Sequence, residues 1–477
     1  MIVLAVIVAL AGGVAWWGAR RAHTAADYFA AGGRAGSWLV GVAGTAAAVS
    51  AFTFVGGPGL FAVAGIGSLW ITFSAPLTGA LQCWVVGEPV VELARGRGLL
   101  TPQELLGARF GRAAGGVAAA LIVVGCVANL AVQARAAAVL GEDFLKVPGA
   151  LAAGVALLAT TVYTASGGMR AGLLADAVQG ATMAALALAL AGAALVAAGG
   201  PAAAVETLRQ ARPELLGSFG AIPPARALAW YLLFCVGTCA QPHYVQKFFF
   251  LRSRGELRAL PAVLTLALAV TLSVWLAVGL AGSALAARGA ITTARPDDLA
   301  PRTMALLGPW AELVAGVAIL AALMSTAASF LNLAAAAVTR DLPAALGRPV
   351  RGLAAARVTT VALALAATGL GAASDRTVAL LGVAGWGFFT AAFLPAFTLG
   401  LAWREATPGG AALAMLAGAT TDVALELVRS RLPAGLEPGL AGAAVGMLVL
   451  VGVSAWQEKG KGKRVEGRQA LTPMVEG

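Results

Sequence analysis

From its first residues to position 456 the chain is a succession of apolar runs, each about 17 to 25 residues long, separated by short polar connections. No other feature constrains the fold as strongly. A run of this length can cross a bilayer as a helix, which satisfies its own backbone hydrogen bonds where no water can. About thirteen such runs occur, at 2–18, 38–62, 67–91, 114–140, 148–166, 171–199, 227–249, 259–286, 306–339, 354–373, 377–402, 409–428 and 436–456. The run 306–339 is long for one span, which predicts a tilt or an extramembrane first turn. With 60% hydrophobic and 12% charged residues, the 477-residue chain has too little polar surface to cover a soluble globule of its size. The sequence predicts an all-α polytopic membrane protein in a lipid bilayer.

A net charge of +11 would suggest nucleic acid in a soluble chain, but here the basic residues fall mostly in connections between apolar runs. They set topology and argue against a nucleic-acid partner. With the N-terminus outside, the inner segments and adjoining span ends hold 22 of the 33 Lys and Arg residues. These include Arg20, Arg21 and Arg34, Arg95 to Arg112, Arg170, the stretch from Lys247 to Arg258, Arg340 to Arg357, Arg404, and the tail from Lys459. The predicted setting is the plasma (inner) membrane, with a cytoplasmic C-terminus. The run 2–18 has its Arg pair after it and no basic segment before it, so it reads as a retained first span. Cys83, Cys126, Cys235 and Cys239 all lie in apolar runs and read as buried thiols.

The proline-rich stretch 200–226 divides the chain. The predicted organisation is a first span and cytoplasmic loop (1–37), five spans (38–199), an extracellular loop (200–226), five more spans (227–402), two peripheral spans (403–456) and a basic cytoplasmic tail (457–477) loosened by Gly460, Gly462 and Gly467. Units with an odd number of spans run in opposite senses, so 38–199 and 227–402 can be inverted repeats.

Two runs carry unusual chemistry. In 319–342, Ala322, Ser325 and Thr326 share one helix face and could offer oxygens to a hard cation such as sodium. The plainer reading is that the hydroxyls bond back to their own helix or to a neighbour. The run 41–59 has small and hydroxylated residues at its centre, then Gly56, Gly57, Pro58 and Gly59. Such a helix can unwind at mid-membrane and free carbonyls for an ion, or simply pack closely with a kink at Pro58.

Seven motifs in order carry a resemblance: DYFAAGGR at 27–34, LTPQELLGARFG at 100–111, YTASGGMRAGLLADAVQG at 163–180, QPHYVQKFF at 241–249, ALMSTAAS at 322–329, TRDL at 339–342 and GLAWREATPGGA at 400–411. With them the chain resembles the sodium:solute symporter family, to which the bacterial sodium/proline and sodium/galactose symporters belong. The resemblance implies a leucine-transporter-type fold of five plus five inverted helices, with one extra span before and two after. It implies a sodium site with backbone ligands at Ala46, Val49 and Ala322 and hydroxyl ligands at Ser325 and Thr326. It further implies an inward ion path past Asp176, which could equally be a first-turn residue favoured by the helix dipole. A solute site is implied at Ser50, Phe52 and Thr53 with Phe234, Thr238 and Gln241. Ala48 stands where the proline symporter has an acidic residue, and Phe234 and Thr238 where it has an aromatic pair.

Other ionisable groups suggest little chemistry. Arg135 interrupts the run 114–140 and is either functional or snorkels outward. Glu88, Glu312, Asp422 and Glu426 lie near span ends or in the last spans. Only His23 and His243 are present, which argues against a histidine metal site or a histidine-based enzyme. No GxxxxGK[ST] loop occurs, which excludes ATP-driven transport by this chain alone. The expected function is sodium-coupled uptake of a small organic solute by alternating access, with sodium as coupling ion and no cofactor. The alternatives are a proton-coupled or uncoupled carrier of the same fold, or a transporter-like solute sensor.

Overall fold

A computed structural model describes residues 33–142, 146–373 and 376–471, together with Gly13. The predicted span 2–18 and most of the DYFAAGGR motif lie outside the described residues. Among the described residues there is no strand, only an isolated bridge between Ala35 and Leu251. Nine helical segments there are long and apolar enough to cross a membrane, and three shorter apolar helices begin at Ser37, Gly149 and Pro224.

The run 38–62 forms α1 (Ser37–Ala48), a π-turn (Phe52–Gly56) and α2 (Gly57–Ala64). Its backbone opens at Val49, where φ −85° and ψ 103° are extended. The opening precedes the Gly56–Gly59 stretch, which unwinds nothing. Pro58 follows the π-turn in a helix that runs unbroken from Ala51 to Ala64, so the break does not fall at this proline. Those glycines serve close approach instead. A Cβ on Gly59 would meet the Pro296 carbonyl oxygen at 2.6 Å, one on Gly56 would meet the Ala379 nitrogen at 3.0 Å, and one on Gly57 would run into the Trp275 ring.

The chain continues through α3 (Ala75–Leu81), α4 (Glu88–Arg97), α5 (Pro102–Phe110) and α6 (Arg112–Leu140) to α7 (Gly149–Ala197). The predicted spans 148–166 and 171–199 are thus one helical element of 49 residues. As a rod it would reach about 73 Å, over twice the bilayer core. Its ends lie on one face of the molecule. Gly149 abuts Glu142, which is 4.0 Å from Arg295, and the Ala198 carbonyl accepts a 2.9 Å bond from Arg288 in the same connection. The element therefore crosses and returns.

After α8 (Pro201–Ala211), the run 227–249 forms α9 (Pro224–Gly237) and α10 (Pro242–Phe248), parted by extended Gln241 at φ −78° and ψ 110°. Pro242 has no N–H, and the preceding residue is pushed out of the helical region. Next come α11 (Leu260–Ala287), α12 (Leu299–Leu307) and α13 (Pro309–Ala336). Gly308, at φ 96°, ends α12 and explains the excessive length of 306–339. The connection before α12 is locked in place: Asp297 accepts a 2.9 Å bond from the Val378 backbone N–H. Burial pushes the Asp297 carboxyl up, while the Val378 N–H, Arg135 and Arg295 pull it down.

The chain ends in α14 (Leu342–Ala345), α15 (Leu353–Ala372), α16 (Val378–Phe397), α17 (Leu399–Ala402), α18 (Pro408–Leu427) and α19 (Pro438–Leu471). Of the tail expected to be loose, residues 457–471 continue α19 as helix. Burial ranks the spans. The most apolar window of α13 is 78% buried, against 33% for α15 and α19, so α13 is the enclosed element on which a site can be held away from lipid.

Candidate functional site

The end of α1 determines the local chemistry. The last carbonyls of a helix have no intrahelical partner, and here Val49 N–H takes only that of Thr45, at 2.8 Å. The next two face α13. Ser325 Oγ lies 2.8 Å from Ala46 O and 3.0 Å from Ala322 O, and Thr326 Oγ1 lies 3.4 Å from Ala47 O. Ala46, Ala322 and Ser325 are fully buried and Thr326 nearly so. The structure thus brings together Ala46, Ala322 and Ser325 from the nominated set. Val49 lies at the extended break, and Thr326 reaches Ala47, which sequence reasoning missed. The end of α1 was the signal for Ala47, but its position shows only when the break is located. The hydroxyls do not simply bond back within their own helix. All these atoms are hard oxygens, the donor class that suits an alkali cation. Among the described residues no group of three or more His, Cys, Asp or Glu could hold a metal ion.

Beside these oxygens opens a cavity. Of the six nominated solute residues, Ser50, Phe52, Thr53, Phe234 and Thr238 line it. Gln241 does not. Its amide donates to Gly237 O at 3.1 Å and to Trp386 O at 3.2 Å, so the side chain braces the break in place of the missing helical bonds. Aromatic rings form one wall. Phe52 stacks on Phe234 at 6.1 Å and meets Trp275 edge-on at 5.1 Å, and Phe234 stacks on Trp386 at 4.8 Å. Amides supply polarity. Gln82 donates to Thr238 Oγ1, Asn129 donates to Gly385 O at 3.2 Å, and the buried Gln133 Oε1 has no partner among the described residues. Trp275, Trp386, Gln82, Asn129 and Gln133 escaped sequence reasoning, because a Trp or Gln in an apolar span also reads as packing. His243 faces the cavity against Tyr244 and Phe330.

Asp176 lies on α7, past the middle of the element. It is buried, with Oδ2 2.7 Å from Lys247 Nζ. Lys247, counted in the sequence among loop-side charges, is itself only 4% exposed, because α10 tucks beneath the cavity. Arg135 is half-buried near Asp297. Asp422 is buried on α18, away from the cavity, and Glu88, Glu312 and Glu426 do not line it.

The model of the sodium:solute symporter family matches residues 28–418. The chain belongs to this family. Similar proteins include the sodium/pantothenate symporter of Escherichia coli (strain K12), 27% identical over 82% of each chain. The sodium/proline symporter of Salmonella typhimurium is also 27% identical, over 87% of this chain and 84% of the relative. Among solved structures, the substrate-bound outward-open state of a Na+-coupled sialic acid symporter superposes with a TM-score of 0.79 at 18% identity, covering 95% of this chain and 97% of the other. A nucleobase-cation-symport-1 family transporter in a closed conformation superposes with a TM-score of 0.59 at 13% identity, covering 91% and 96%. The fold is that of these symporters. This sodium:solute symporter is a multi-pass membrane transporter, not an enzyme, and couples transport of a small organic solute to sodium.

Proposed function

We propose that sodium is held by the carbonyls of Ala46, Val49 and Ala322 and the hydroxyls of Ser325 and Thr326, beside a solute bound against Ser50, Phe52, Thr53, Phe234 and Thr238. The observation that carries this reading is the pair of α13 hydroxyls seated on the carbonyls left open at the end of α1. Each hydroxyl can rotate its proton away from the carbonyl it meets, which would leave the hydroxyl and carbonyl oxygens free to bond sodium together. The adjacent cavity supports a solute with an apolar body and a carboxylate: an amino acid, a monocarboxylate or a vitamin-like acid. Its rings match the former, its amides and hydroxyls match the latter, and no acidic side chain lines it. The two broken spans at 46–59 and 227–249 support the five-plus-five inverted arrangement, about thirteen spans in all. In this arrangement the N-terminus is outside the plasma membrane, the C-terminus is inside, and sodium leaves inward past Asp176. Sodium favours the outward-open state that accepts solute, and alternating access releases both.

The test is sodium-dependent uptake in proteoliposomes by Ser325→Ala with Thr326→Ala. Sodium stimulation is expected to vanish in a folded protein; undiminished stimulation would remove the assigned site.

A further inference from the structure

One buried charge pair joins Asp176 of this scheme to a residue the scheme does not use. Asp176 on α7 and Lys247 on α10 are 2.7 Å apart, with side chains 3% and 5% exposed. Lys247 Nζ also lies 3.5 Å from Ser329 Oγ on α13. Ser329 follows Ser325 by four residues and Thr326 by three, which puts it one turn further along the same face. Lys247 and Thr326 line one cavity, so the pair is continuous with the proposed sodium site. Two oxygens, Asp176 Oδ2 and Ser329 Oγ, face the ammonium, while Asp176 Oδ1 is buried beside them with no partner among the described residues. Hard oxygens of this kind would serve a free alkali ion equally well.

A buried carboxylate needs a positive counter-charge, and in this chain that charge is covalently attached. We infer that the Lys247 ammonium occupies a cation position formed by Asp176 and Ser329, so that the transporter binds one sodium ion per cycle while its second positive charge never leaves the protein. Lysine suits this role, being a compact point charge on a flexible stem, able to withdraw and return as α10 moves. The inference rests on the sodium reading above, and it assigns ion stoichiometry to one residue.

The test follows sodium binding by thermal unfolding of the purified full-length protein, and sodium-dependent uptake in proteoliposomes. Each bound ion adds stabilisation that rises with the logarithm of sodium concentration, so the slope near saturation counts ions. The wild type is expected to show a one-ion slope and a Hill coefficient of about 1. Lys247→Met vacates the position, so the slope doubles and the Hill coefficient rises toward about 2. Asp176→Asn combined with Lys247→Met removes both charges and returns the one-ion slope. A two-ion slope in the wild type overturns the inference, and so does an unchanged slope in Lys247→Met or a doubled one in the double variant. The wild-type measurement alone suffices should Lys247→Met not fold. A retained sodium response in Ser325→Ala with Thr326→Ala would instead remove the site reading, while leaving the Lys247 comparison readable.

Discussion

The two broken spans solve the same backbone problem in opposite ways. At Val49 the end of α1 leaves carbonyls that no side chain of its own span satisfies, and hydroxyls from α13 come to meet them. At Gln241 the break is repaired from within, as the glutamine amide bridges Gly237 O on its own span and Trp386 O on α16. The difference shows that a break alone does not make an ion site. Acceptors must be left for something replaceable to fill, and only the first break leaves them.

The largest expected effect separates the two directly. In saturating sodium, at about 100 times Kd, the wild type should gain roughly 2.7 kcal/mol of stability, and Ser325→Ala with Thr326→Ala should lose that gain while unfolding normally in potassium. Gln241→Ala removes both bonds of the bracing amide, costing about 1–3 kcal/mol in all. Its melting temperature should fall equally in sodium and potassium; a fall confined to sodium would make the second break an ion site too. Next in size, Trp386→Phe keeps a ring against Phe234 but loses the indole N–H that donates to Leu233 O at 3.1 Å. It should cost about 1 kcal/mol of stability, with weaker solute binding and unaltered sodium slope, read by thermal shift with and without solute. The smallest effect lies at Glu256, which follows α10 and caps α1 by accepting from Ser37 N–H at 2.7 Å. The Ser37 N–H, and then Arg252, hold its carboxyl below the usual glutamate range. That stabilisation is complete above the ordinary glutamate value and is lost as pH falls through the depressed one. The gap in melting temperature between wild type and Glu256→Gln should therefore close on acidification, and a constant gap would assign it to packing.

How much of this was legible depended on which physical signal each residue sends. Hydropathy marks spans because the bilayer demands it, and Ser325 with Ala322 could be set on one face because helical period is regular. Regularity fails at breaks. Nothing in the small-residue run GVAGTAAAVS at 41–50 says that the chain opens at Val49 and not at Gly56, so the Gly56–Gly59 stretch reads in sequence as a weak point, when its glycines instead admit Trp275, Pro296 and Ala379. Gln241 was nominated as a solute contact since a polar residue beside a proline in a span has few other uses; the structure gives it one. Lys247 was placed with the loop charges because span ends are soft in sequence, and its burial follows only from how α10 packs under the cavity.

The contacts of α2 bear on motion. The Pro296 carbonyl sits where a Gly59 methyl would be, Asp297 is bonded to the first turn of α16, and Gly56 abuts that same turn. Three chain segments far apart in sequence are thus stripped of independent degrees of freedom at this face. Any tilt of the half of the first broken span beyond Val49 must carry the 288–308 connection and the start of α16 with it, so these segments move as one hinged panel and not residue by residue.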